Sequence, residues 1–183
     1  MKLTTFCLLA LLLVAPLTEA QRAIILVRHA EKRYDSDDPS TPLSDQGDAR
    51  AHALADLLKD AGITAIYSTR TIRTMRTAAP LAKQLGLRVI LADQKDPEEL
   101  IERVRKEQPN GVVLIVGHAN TVPEMLRVLG DTEDVAIPAT EFDNLFVVIP
   151  NGSAKATVLR LRDRKSTRLN SSHIQKSRMP SSA

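Results

Sequence analysis

Short apolar runs without polar alternation constrain the fold of this chain more than any other feature. Ala23–Val27 and Val112–Val116 contain only apolar residues. Such runs are typical of strands buried on both faces of a parallel sheet. Between the runs, apolar residues recur at helical spacing, and these segments end near Gly62, Gly86 and Gly130. The alternation predicts a three-layer α/β/α domain with a mainly parallel central sheet.

The same patterns predict the bounds of the elements. The predicted strands are Ala23–Val27, Ile63–Ser68, Arg88–Leu91, Val112–Val116, Leu145–Ile149 and Ala156–Leu161. A first helix should begin after Ser44 as N-cap and end at Gly62, with Ala49, Ala53, Leu54, Leu57 and Leu58 on its apolar face. Further helices are predicted through Thr77, Leu81 and Leu85, over Pro97–Gln108, and around Pro123–Leu129. The last two strands should form a hairpin with its turn at Pro150-Asn151-Gly152, which adds an antiparallel edge to the sheet.

Residues 1–20 have the pattern of a secretory signal peptide. Lys2 precedes an apolar run over Leu8–Val14, and small residues lead to Ala20. The run is shorter than the ~20 residues that span a bilayer, so we expect cleavage after Ala20, no membrane attachment afterwards, and a periplasmic or secreted protein. The only cysteine, Cys7, lies in this segment. The mature domain must therefore be held by its core without disulfides.

The formal charge of +3 comes from the end of the chain. Residues 164–183 contain five Lys or Arg and no acid, whereas residues 21–163 contain 19 basic and 21 acidic side chains. The tail is rich in Ser, lacks an apolar period and is expected to be disordered. It resembles translated adapter sequence, and the alternative is a basic arm that binds an anionic surface. We expect residues 21–163 to form the one functional domain, with no nucleic-acid partner.

Polar side chains follow two of the apolar runs. Arg28 and His29 come after the first run, and Gly117-His118 comes after the fourth. Because ligands of open α/β sheets bind outside the carboxyl ends of the strands, we expect Arg28 and His29 to be delivered to the crevice rather than buried, and His118 to lie at the rim of the same crevice.

The residue types at this edge favour an anion site. Zinc or copper needs three or four ligands, and an adjacent guanidinium opposes a cation. The sequence has no His-Glu-x-x-His pair, no Walker loop and no Gly-x-Ser-x-Gly elbow. Arginine forks match phosphate oxygens, and a neutral imidazole can attack phosphorus. We therefore expect neither a metal nor another cofactor.

Four sequence blocks resemble the histidine phosphatase superfamily, the phosphoglycerate-mutase-like family, and in particular its small exported bacterial members. The blocks occur in the family's order and read VRHAEK (27–32), PLSDQGDARAHALA (42–55), YSTRTIRTMRTAAPLA (67–82) and GHANTVPEML (117–126). The resemblance implies that His29 is the nucleophile that becomes phosphorylated. It also implies that Arg28 and Arg73 hold the phosphoryl oxygens, and that His118 completes the substrate-binding pocket.

A general acid is needed for a poor leaving group. The resemblance implies a carboxylate from the segment after the third strand, where Asp93 is our first choice and Asp96 the second. Glu98 and Glu99 are more simply explained as first-turn acids that complement a helix dipole. If neither Asp93 nor Asp96 reaches the site, only labile phosphoryl donors should react quickly.

Several other polar residues have two interpretations at this stage. Glu31 either orients Arg28 or Lys32 or is solvated. Asn120 and Thr121 either serve the site or only cap the next helix, and Asp143 and Asn144 either support the pocket or form a turn. Arg70, Arg76 and His52 are interpreted as surface residues.

Together these observations predict a metal-independent phosphomonoester hydrolase acting through a phosphohistidine. Only about a dozen residues separate Lys32 from Ser44, which predicts an open crevice that accepts a phosphorylated small molecule or a phosphopeptide. A mutase, which needs a closed pocket to exclude water, is one alternative. A non-catalytic phosphate-binding module is the other. The natural substrate and the oligomeric state are left open.

Overall fold

The computed structural model describes residues 23–93, 96–131, 133–151 and 154–162. The predicted signal peptide and the basic tail lie outside these residues, so both remain predictions, as do the domain boundaries derived from them. Within the described ranges, no helix has the length and apolarity required to cross a membrane.

Ten elements follow the strand–helix alternation that the sequence predicts. They are β1 (Ala23–Arg28), α1 (Asp45–Leu58), β2 (Ile63–Thr69), α2 (Ile72–Leu85), β3 (Val89–Ala92), α3 (Pro97–Glu107), β4 (Val112–Gly117), α4 (Thr121–Val128), β5 (Asn144–Asn151) and β6 (Ala154–Arg162). Most bounds differ from the prediction by one or two residues. Pro150 and Asn151 belong to β5 rather than to a turn.

The strands form one mixed sheet in the order β3-β2-β4-β1-β5-β6. β3, β2, β4 and β1 are parallel, whereas β5 runs antiparallel to β1 and β6 runs antiparallel to β5. The predicted α/β fold with an antiparallel edge is therefore confirmed. In the pairing of β1 with β4, Arg28 lies opposite Gly117, so the residues that follow both strands emerge side by side at one edge.

The apolar runs are buried on both faces, as the lack of polar alternation predicts. Along β1, Ile24 and Leu26 pack in a core with α3 and α4, and Ile25 and Val27 pack in a second core with α1 and α2. Fully burying one such side chain stabilises the fold by roughly 1.5–3 kcal/mol. The two cores lie on opposite faces of the sheet and form the boundaries of the three layers.

Two details of α1 differ from the prediction. Ser44 caps the helix as expected, since its Oγ accepts a hydrogen bond from the Gly47 amide at 3.1 Å, but Ala49 and Leu57 are exposed. The buried face instead includes Arg50, whose guanidinium pairs with Glu31 beyond the carboxyl end of β1. The helix ends at Leu58 rather than at Gly62, which adopts φ +69° in the turn before β2.

Candidate active site

His29 follows β1 directly, and its amide donates to the Gly117 carbonyl at 2.9 Å. Its side chain is 4% exposed and that of Arg28 is 7% exposed, so both are buried, which corrects the expectation that they are not. Nδ1 of His29 lies 2.7 Å from the Ala30 carbonyl, so Nδ1 carries the proton and donates it there. Burial, with further help from the charge of Arg28, lowers the pKa of His29 to about 3. The ring is therefore neutral, and Nε2 has a free lone pair.

His118 lies at the tip of β4, next to His29. The two ring centroids are 5.3 Å apart, and the ring planes meet at 64°. His118 Nε2 lies 2.8 Å from the hydroxyl of Thr69 at the end of β2. Burial first, and then the charge of Arg73, lower the pKa of His118 to about 4. Both imidazoles are consequently neutral near pH 7.

Gly117 allows Thr121 to pack closely against the end of β4, next to His118. A Cβ on Gly117 would lie 2.8 Å from Thr121 Oγ1, which is too close for ordinary packing. That hydroxyl accepts a hydrogen bond from the His118 amide at 2.9 Å. Thr121 thus holds the turn between β4 and α4, whereas the Asn120 side chain makes no capping hydrogen bond with α4.

The last residue of β1, Arg28, is held by the segment that leads into β5. Its Nη1 donates to the carbonyls of Pro138, Ala139 and Glu141 at 2.9, 3.0 and 2.9 Å. Its guanidinium carbon also lies 4.1 Å from the centre of the Phe142 ring, a distance suited to a cation–π interaction. Arg28 is therefore fixed in place by four neighbours of one loop.

The residues around this loop show what Asp143 and Asn144 do. Asn144 donates to the Glu141 carboxylate at 3.0 Å and accepts from Arg160 at 2.9 and 3.0 Å. Asp143 pairs with Arg162 at 3.0 Å. Both residues therefore anchor the loop that holds Arg28.

Arg73, in the first turn of α2, provides the second buried guanidinium. Its Nη1 donates to the Asp38 carbonyl at 3.0 Å. Arg28 and Arg73 are 7% and 6% exposed, and within the described residues the Nε of each is buried without an acceptor. Leaving a buried donor unpaired costs about 1–3 kcal/mol, and more for a charged group. The accessible N–H groups of the two guanidiniums are suited to an oxyanion.

Four of the five residues predicted as catalytic line a single cavity of about 600 Å³. The lining residues are Arg28, His29, Lys32, Asp37, Arg73, His118, Ala119, Asn120 and Glu124. Lys32, Thr69 and Glu124 lie within the sequence blocks but were given no role of their own. Asp37 lies outside the blocks and was not predicted. Thr69 directly precedes Arg70 in the third block, which is the only sequence signal that points to it.

Asp93, the predicted general acid, does not lie in this cavity. It is exposed and lines a separate cavity with Asp96, Glu99, Leu100 and Arg103. β3 is an edge strand three positions from β1. At ~4.8 Å per strand, its tip is about 14 Å from that of β1. Asp96, the second choice, accepts from the Glu99 amide at 2.8 Å and caps α3.

The other charged residues considered in the sequence do not line this cavity. Glu31 pairs with Arg50 of α1 at 2.6 Å, rather than with Arg28 or Lys32, and both side chains are nearly buried, at 12% and 9% exposure. Arg70, Arg76 and His52 are exposed, as interpreted from the sequence. Among the described residues, no group of three or more His, Cys, Asp or Glu is arranged to hold a metal ion.

The fold and this cavity define a phosphoglycerate-mutase-like α/β protein in which two strand tips present paired imidazoles beside paired guanidiniums. The family model of the histidine phosphatase superfamily (branch 1) matches residues 24–95 of the chain. The resemblance to the superfamily is thereby confirmed for the three sequence blocks within these residues, and the likeness to small exported bacterial members stays a prediction. No curated protein matches the chain significantly in sequence.

Solved structures agree with the fold. The protein histidine phosphatase SixA complexed with tungstate is 18% identical with a TM-score of 0.64, and the match covers 80% of this chain and 99% of SixA. Mycobacterial glucosyl-3-phosphoglycerate phosphatase complexed with VO3 is 14% identical with a TM-score of 0.65, and covers 77% of this chain and 98% of its own. At these identities the likeness is one of fold.

Proposed function

We propose that this chain is a metal-independent phosphomonoester hydrolase that forms a phosphohistidine on His29. The observation that carries the proposal is that a neutral, oriented imidazole lines the same cavity as two guanidiniums and a second neutral imidazole. The fold relatives carry tungstate and VO3 in their structures. Both are oxyanions of the kind that this donor set would bind.

The reaction has two displacements at phosphorus. Nε2 of His29 attacks, the Nε2–P bond forms and the P–O ester bond breaks, and the leaving alkoxide takes a proton from an acidic group, to which the attacking water returns one in the second step. Water then attacks the phosphohistidine, and the P–Nε2 bond breaks to release orthophosphate and neutral His29. Splitting one displacement into two lowers each barrier.

The other polar groups stabilise the charge on the phosphoryl oxygens. The accessible guanidinium donors of Arg28 and Arg73 suit the equatorial oxygens, and the loop carbonyls and the Asp38 carbonyl prevent the guanidiniums from reorienting. With Nε2 of His118 occupied by the Thr69 hydroxyl, Nδ1 is the nitrogen that donates to phosphate. Such preorganised donors supply most of the catalysis in phosphoryl transfer.

The described segment between β1 and α1 is short and leaves the cavity open, which supports hydrolysis over a mutase. We propose phosphorylated small molecules or phosphopeptides as substrates, rather than nucleic acid or a membrane surface. The relatives named above are a protein histidine phosphatase and a glucosyl-3-phosphoglycerate phosphatase. A screen should accordingly include phosphohistidine peptides and phosphorylated sugar acids.

Phosphate release from an aryl phosphate in excess chelator tests the proposal. The purified protein should turn over, and His29→Ala should abolish turnover with an unchanged circular dichroism spectrum. His52→Ala, an exposed histidine on α1, is the matched control and should retain activity. Loss of activity on chelation would contradict a metal-independent reaction. Binding of phosphate without turnover would indicate the binding module, and transfer within a phosphorylated sugar acid without release would indicate the mutase.

We further propose that the protein is exported, on the basis of the N-terminal pattern alone. Expression of the full chain in a bacterium should place the protein in the periplasm or medium, and N-terminal sequencing should begin at Gln21. Retention in the cytosol with an intact N-terminus would contradict this proposal.

A further inference from the structure

The cavity contains two carboxylates that the sequence did not identify, Asp37 and Glu124. The proposed reaction on an alkyl ester needs a proton donor, and Asp93 and Asp96 lie at another cavity. The identity of that donor rests on the proposed function and extends it, because it decides which esters the enzyme can cleave.

The direction of the displacement restricts where the donor can be. The attacking and leaving atoms lie roughly in line through phosphorus. His29 is 4% exposed at the floor of the cavity, so the leaving oxygen must point to its mouth. A proton donor must therefore lie on an exposed part of the rim, and the Asp37 side chain is fully exposed there.

The backbone on both sides of Asp37 is held by cations of the site. Lys32 Nζ donates to the Ser36 carbonyl at 3.0 Å and lies 3.7 Å from the Asp37 carboxylate. Arg73 donates to the Asp38 carbonyl at 3.0 Å. A residue that binds the phosphoryl group and a lysine beside it thus fix the loop position of Asp37 relative to phosphorus.

Charge effects show that Asp37 lies within reach of two residues of the site. The charge of Asp37 raises the pKa of both Arg73 and His118 against the stronger effect of burial. The neighbouring Asp38 carboxylate is already used, since it accepts from the Ser40 amide and hydroxyl at 2.8 Å each. Glu124 has a simpler explanation, because it lies in the first turn of α4, where an acidic side chain complements the helix dipole.

We propose that Asp37 is the general acid and base of the reaction. As Nε2 of His29 bonds to phosphorus and the ester bond breaks, the Asp37 carboxyl gives its proton to the leaving alkoxide. The resulting carboxylate then takes a proton from the water that attacks the phosphohistidine, which restores the carboxyl and releases orthophosphate. The second step therefore returns to Asp37 the proton that the first step used.

Leaving-group dependence tests this assignment in the full chain. Asp37→Asn should lower kcat/KM for glycerol phosphate by about 100-fold or more, the lower range for a lost general acid. For dinitrophenyl phosphate, kcat/KM should fall by no more than about threefold, because this leaving group departs without taking up a proton. Asp35→Asn is the matched control, because Asp35 also pairs with Lys32, at 3.3 Å, but does not line the cavity. It should alter neither rate appreciably.

The other outcomes overturn the assignment. Equal losses on both substrates for Asp37→Asn would give Asp37 a positioning role only. A selective loss in Glu124→Gln or Asp93→Asn would assign the donor to that residue. If the wild-type protein cleaves the dinitrophenyl ester but not glycerol phosphate, the site has no working proton donor. That result would overturn the assignment of Asp37 but would not contradict the phosphohistidine mechanism. Turnover of the dinitrophenyl ester by His29→Ala would instead reject the proposed function itself.

Discussion

The rings of His29 and His118 lie 5.3 Å apart, and each ring has one nitrogen fixed by the protein. Nδ1 of His29 is fixed by the Ala30 carbonyl, and Nε2 of His118 is fixed by the Thr69 hydroxyl. Opposite nitrogens therefore remain for a ligand: Nε2 on His29 and Nδ1 on His118. This asymmetry suits one ring to attack phosphorus and the other to donate a hydrogen bond.

The first prediction concerns Thr69. Thr69→Val keeps the shape of the side chain but removes the hydroxyl that orients His118. A hydrogen bond between two neutral groups contributes about 0.5–1.5 kcal/mol, which corresponds to a roughly two- to tenfold fall in kcat/KM for an aryl phosphate. Thr69→Ser should restore most of the activity. Equal rates for the valine and serine variants would show that the hydroxyl has no orienting role.

The second prediction concerns pH. The pKa of His29 is about 3 in the folded protein and near 6.5 when unfolded. Below pH 6.5 the unfolded state binds more protons, so stability from this group is complete above pH 6.5 and falls as the pH drops toward 3, by up to about 1.4 kcal/mol per pH unit.

Urea denaturation at several pH values measures this slope. Between pH 6.5 and 4.5 the wild type should lose about 2–3 kcal/mol more than His29→Asn, which lacks the titrating ring. His52→Asn, at an exposed position, should follow the wild type. Parallel curves for His29→Asn and the wild type would contradict the burial of a neutral His29.

The third prediction concerns the Glu31–Arg50 pair. Removing one partner of a nearly buried ion pair leaves a charge without compensation, so Glu31→Gln or Arg50→Met should each lower the free energy of unfolding by about 3 kcal/mol. The double variant should cost less than the sum of the two. Asp134→Asn breaks the exposed pair with Arg127 and should cost less than about 1 kcal/mol. Similar costs for the exposed and buried pairs would contradict this account.

Local signals in the sequence predicted the parts of the fold that depend on neighbouring residues. The apolar run over Val112–Val116 identified a strand buried on both faces, and Ser44 identified the start of α1. The apolar face of α1 was partly wrong, because the contact of Arg50 with Glu31 is tertiary and sets which side faces the sheet.

For the site, too, local signals predicted some positions, whereas others depend on tertiary structure. His29 and His118 could be placed together because parallel strand tips share an edge. Asp93 was assigned by its position after a strand, but the order of strands in the sheet decides its distance from His29, and that order is not a local property. Asp37 lies in a loop without a periodic pattern, so only the contacts of Lys32 and Arg73 reveal its position.

The most direct test of the account is to trap the phosphoenzyme. Protein incubated briefly with radiolabelled substrate and quenched in base should carry label that is stable to base and lost in acid, as expected for phosphohistidine, and peptide mapping should place it on His29. His29→Ala should carry none, and His52→Ala should be labelled like the wild type. Turnover without labelled protein, or label on another residue, would contradict the central claim.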